Sequence, residues 1–63
     1  MIALSVNIEV QTKNGSWWGV CLGVPNDRQT IQSEFKSAMK SPMCIKGRVR
    51  AIDQETGNVV ASN

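Results

Sequence analysis

Residues 8–20 read Ile8-Glu9-Val10-Gln11-Thr12-Lys13-Asn14-Gly15-Ser16-Trp17-Trp18-Gly19-Val20, and the fold is decided by what happens at Asn14-Gly15. Asn-Gly tolerates the positive backbone angles of a tight reversal, and here it stands between two runs of strand-forming residues, so it predicts a β-hairpin.

Upstream, Ile2, Leu4, Val6, Ile8 and Val10 alternate with Ser5, Asn7, Glu9 and Gln11, the period of a strand with one buried face. A two-residue Asn14-Gly15 turn pairs Ile8 with Cys21 and mixes the faces. A three-residue loop, Lys13-Asn14-Gly15 with Gly15 left-handed, pairs Val10 with Trp18, Ile8 with Val20, Val6 with Leu22 and Leu4 with Val24. The longer loop puts every apolar residue on one side, and it is the register expected here. Trp18 then enters the core. Trp17, Gly19, Cys21 and Gly23 face outward.

Downstream, Pro25 ends the second strand, and Asn26 or Asp27 can cap a helix over 26–41 with apolar positions Ile31, Phe35, Ala38 and Met39. Lys36 and Lys40 suit its C-terminal dipole, and Pro42 forbids continuation. From Met43 the period returns to two, with Met43, Ile45, Val49 and Ala51 opposite Lys46, Arg48 and Arg50. A turn at 53–58 follows, in which Gly57 suits a left-handed position and Asp53 can accept backbone N–H bonds. If Asp53 pairs with Asn58, Ala51 faces Val60, while Ile52 and Val59 look outward. The expected fold is α+β, one domain over 1–63 made of hairpin 2–24, helix 26–41 and hairpin 43–62. Its ββαββ order builds a four-stranded, mainly antiparallel sheet with a helix on one face and the other face open.

At 63 residues, with 41% hydrophobic and 19% charged, the chain is a globular composition with room for one small core. So small a core leaves little surplus over chain entropy, and a homodimer is expected to cover more apolar surface. A net charge of +2 is well short of the surplus of a dedicated nucleic-acid domain. Cys21 and Cys44 stand far apart without a Cys-x-x-Cys pattern or any His, so two free thiols in a reducing cytoplasm are expected, with no metal and no cofactor. The N-terminal residues have neither a basic lead nor a long apolar run, which points to neither a leader nor a membrane span.

Catalysis is not expected. Without His or Tyr, acid–base chemistry falls to Glu9, Asp27, Glu34, Asp53, Glu55, the lysines and the cysteines. Most of those acids sit where carboxylates serve turns and caps, and no base is present to activate a thiol. The five glycines fit no phosphate-loop or dinucleotide spacing.

Binding has more support. Trp17 is an outward indole, and Lys46, Arg48 and Arg50 point the same way at a spacing of about 6–7 Å on a strand, so Trp17, Lys46, Arg48 and Arg50 are the candidate ligand residues. The outer stripe of Trp17, Gly19, Cys21 and Gly23, with Ile52 and Val59, is the candidate interface. The leading expectation is a non-catalytic homodimer that sequesters a nucleotide-like ligand or blocks a protein partner. In size class alone it is like the compact inhibitors of host defence that phages encode. A nucleic-acid-binding sheet and a structural assembly subunit are the other readings.

Overall fold

The computed structural model describes residues 5–42, 44 and 47–63. Strands β1 (Ser5–Gln11) and β2 (Trp17–Pro25) lead into helix α1 (Arg28–Met39), followed by β3 (Val49–Asp53) and β4 (Val59–Ser62). The four strands form one antiparallel sheet in the order β2-β1-β3-β4, with α1 on one face and the other face open. None of the helices among the described residues is long and apolar enough to cross a membrane.

The alternation in β1 is the keel of the molecule. Val6, Ile8 and Val10 are fully buried while their neighbours look outward. β3 supplies Val49 and Ala51 to the same layer, and α1 closes it with Ile31, Phe35 and Ala38. Asp27 caps α1 by accepting the Thr30 N–H at 3.0 Å and its hydroxyl at 2.9 Å. The helix is shorter than the expected 26–41, and Met39 is an exception to its apolar stripe, 43% exposed past the edge of the core.

The first hairpin closes through the three-residue loop. Thr12 N–H donates to the Ser16 carbonyl at 2.7 Å and Gly15 N–H to the Thr12 carbonyl at 3.0 Å, with Gly15 at φ +87°. Val10 then pairs with Trp18 and Gln11 with Trp17. Beyond that point the expected register fails. Ile8 pairs with Cys21 instead of Val20, and Val6 with Val24 instead of Leu22, because β2 carries an extra residue in each of two successive steps. These are β-bulges, and Gly23 at φ +71° supplies the left-handed backbone that the second one uses.

The bulges redistribute the side chains of β2. Cys21, expected outside, turns to the core side and packs against it, while Val20 and Leu22, expected inside, stand exposed. Trp18 shares the helix side with Val10 but is 57% exposed instead of buried. A helix about 10 Å wide covers roughly two strands spaced about 4.8 Å apart, so the sheet margins project beyond it.

The third strand, expected from Met43, opens at Val49 among the described residues. Gly47 takes φ +68° just before it, and Met43, Ile45 and Lys46 lie outside the described residues. Asn63 secures this start: its side-chain carbonyl accepts the Val49 N–H at 2.9 Å and its amide donates to the Gly47 carbonyl at 2.8 Å. In the second hairpin the Asp53 N–H donates to the Asn58 carbonyl at 2.9 Å, and the Asp53 carboxylate accepts the Glu55 N–H at 2.8 Å. A further bulge at Val60 makes Ala51 face Ala61, not Val60, and leaves Val60 exposed.

Candidate ligand site on the open sheet face

On the open face, side chains of β1 and β3 that pair across the ladder stand side by side. Glu9 is opposite Arg50, and the Arg50 Nε donates to the Glu9 carboxylate at 2.8 Å. From there the Arg50 side chain crosses β1 and lays its guanidinium over Trp17 of β2, 4.1 Å from the ring centroid. A cation over an indole at this distance gains about 0.5–2 kcal/mol, depending on how far water is excluded. The guanidinium is thus held in its plane by the indole and in its rotation by the carboxylate. Its terminal N–H groups make no hydrogen bond to the described residues.

Next to it lies Arg48, exposed, with no side-chain hydrogen bond or ion pair among the described residues. Trp17, Arg48 and Arg50 line one shallow hollow of about 240 Å³. Its far wall is Val59 and Ser62 of β4, with Asn63 beside Val49. Three of the four ligand residues read from the sequence therefore meet, and the fourth, Lys46, lies outside the described residues.

The sequence reading missed Glu9, Ser62 and Asn63. Nothing in the sequence showed that β1 would lie between the strands carrying Trp17 and Arg50, which is what brings Glu9 under Arg50. Of the stripe considered as an interface, Gly19 lies opposite Glu9, and Ile52 pairs with Val59 on the outer face. Cys21 is not part of that face. Gly23 sits in its bulge, donating its N–H to the Asn7 side-chain carbonyl at 3.3 Å, and the same oxygen accepts from the Gln54 amide at 2.7 Å.

A larger hollow of about 460 Å³ lies on the other side, between α1 and β4, with Ile31, Phe35, Val60 and Ala61 as its apolar lining and Arg28 as its single cation. Asn26, Gln32 and Ser62 complete its lining, but among the described residues no ring or carboxylate orients its cation as Trp17 and Glu9 orient Arg50 at the smaller hollow. The Cys21 thiol is pushed up from its ordinary range, first by burial and then by the nearby Glu34 carboxylate, which is the reverse of what a nucleophile needs. Among the described residues no group of three His, Cys, Asp or Glu could hold a metal ion. Comparison with protein-family models, curated proteins and solved structures finds no match to this chain.

Proposed function

We propose that this chain is a non-catalytic binding protein that holds a nucleotide-like anion on the open face of its sheet. The reading rests on the pre-oriented Arg50 beside Arg48, which has no ion pair among the described residues, in one hollow with Trp17. Arginine recognises phosphate through paired N–H donors, and a guanidinium plane or an indole offers a surface on which a base stacks. Three of the five acids have structural partners: Glu9 in the ion pair with Arg50, Asp27 in the helix cap and Asp53 in its turn.

Trp18 stands away from the hollow, so a Trp18→Phe protein reports on Trp17 alone. Its emission is expected to change on titration with nucleotides, and Arg48→Ala to weaken binding about tenfold, the scale of one lost hydrogen bond between charged groups. Unchanged emission together with no heat in calorimetry overturns the reading.

A second reading is favoured by the exposed apolar margin. Trp18 and Leu22 of β2 are 57% and 69% exposed, and Val59 and Val60 of β4 are 53% and 42% exposed. These residues stand on the two opposite edge strands, and a second copy of the chain or a protein partner would cover one of these edges. Light scattering at micromolar concentration tests self-association, and a monomer overturns the homodimer.

A further inference from the structure

Resting on the anion site proposed above, we infer that its ligand class is a phosphodiester carrying a nucleoside on each side, and not a terminal phosphate.

The charge of the side chains comes first. Among the described residues, Arg48 and Arg50 bring two positive charges to the hollow and Glu9, held against Arg50, returns one negative charge. A phosphodiester carries a single negative charge, whereas a terminal phosphate monoester carries about −1.5 to −2 at neutral pH. The carboxylate held on Arg50 opposes the extra charge of a monoester.

The flanks give an independent argument. Arg50 lies on the central strand β3 with Arg48 just before its start, and the hollow reaches from Trp17 on one edge strand to Val59 on the other. The stacked Trp17 and Arg50 planes offer a platform on one side, and Val59, 53% exposed beside Ile52, offers an apolar one on the other. A phosphate between two bases uses both flanks, and a mononucleotide leaves one idle.

The shape agrees. At about 240 Å³ the hollow falls below the roughly 300–1,000 Å³ of sites that enclose a whole small molecule. It lies on an open sheet face, so both ester substituents can leave in opposite directions along the surface. A short strand and a small cyclic dinucleotide share this chemistry.

Calorimetry on the full chain at a series of ionic strengths tests it with thymidylyl-thymidine, a cyclic dinucleotide, thymidine 5′-monophosphate and an eight-residue oligothymidylate. The dinucleotide is expected to bind about tenfold tighter than the monophosphate, the scale of one poorly compensated charge near the surface. Glu9→Gln should erase most of that preference by strengthening the monophosphate. Val59→Ser should weaken the dinucleotide several-fold more than the monophosphate.

Steep salt dependence with tightest binding of the oligonucleotide identifies a strand as the source, and equal or tighter binding of the cyclic dinucleotide identifies a small ligand. A monophosphate that binds as tightly as the dinucleotide, still in an Arg48-dependent way, overturns the phosphodiester class and leaves the anion site standing. If no probe binds, both fall.

Discussion

The Arg50 guanidinium lies 4.1 Å over the Trp17 ring while its Nε is 2.8 Å from the Glu9 carboxylate, so residues of β1, β2 and β3 are tied together on the uncovered side of the sheet. Arg50 and Glu9 are each less than a third exposed, which limits screening by solvent. Arg50→Ala is expected to lower stability by about 1–2 kcal/mol, the combined scale of a stacked cation and a partly shielded ion pair. Arg50→Lys should recover less than half, because an ammonium cannot lie flat on the indole while reaching Glu9. Urea unfolding reads both, and a lysine variant as stable as the parent would show the planar stack to be idle.

Asp27 accepts both donors of Thr30, chiefly the backbone N–H, and these bonds hold its carboxyl below the usual carboxylate range. A depressed folded value means that its contribution is complete above the unfolded value of about 3.9 and fades as pH falls through the lower folded one. Asp27→Ala should therefore lower the melting temperature at pH 6, and the gap between variant and parent should narrow below about pH 4. A gap of constant size from pH 6 to pH 2.5 contradicts this account.

Gly23 and Gly19 lie in the same strand, yet they should respond differently to alanine. Gly23 holds φ +71° within its bulge, where a Cβ costs about 1–2 kcal/mol. Gly19 has ordinary backbone, and a Cβ there meets only the Leu22 side-chain tip at 3.2 Å, an exposed group that can swing aside. Gly23→Ala is expected to destabilise by about that amount and Gly19→Ala to be nearly neutral. Equal losses in a denaturant series would mean that the second bulge does not depend on its glycine.

Burial and the neighbouring Glu34 carboxylate both disfavour the Cys21 thiolate. Its reaction with a thiol reagent at pH 7 should be slower than that of a model thiol, gaining speed only at more alkaline pH, and Glu34→Gln should accelerate it. Cys44 is buried, so Cys44→Ala leaves Cys21 to report alone. Fast, pH-independent labelling of Cys21 would rule out this environment.

The parts of the fold legible in the sequence were those governed by unbroken local patterns. The alternation of β1, the Lys13-Asn14-Gly15 loop and the Asp27 cap each follow from neighbouring residues. The path of β2 did not, because a period-two reading counts every residue, whereas this strand sets two aside. Gly19 and Gly23 raised the prospect of a bend, but the displacement of Cys21, Val20 and Leu22 depends on which partner lies opposite. The outward placement of Trp17 and Arg50 was legible, because alternation alone decides it. Glu9 was not, because its place under Arg50 follows from strand order, which alternation does not reveal.

The surplus residues of β2 also govern what the molecule does in company. They put successive N–H and C=O groups of that outer ribbon out of step with any straight segment laid alongside, so an incoming chain could match only a few of them before the ladder broke. Growth of a fibril by stacking on this border would stall after its first rungs, and greasy side chains can stand there without seeding one.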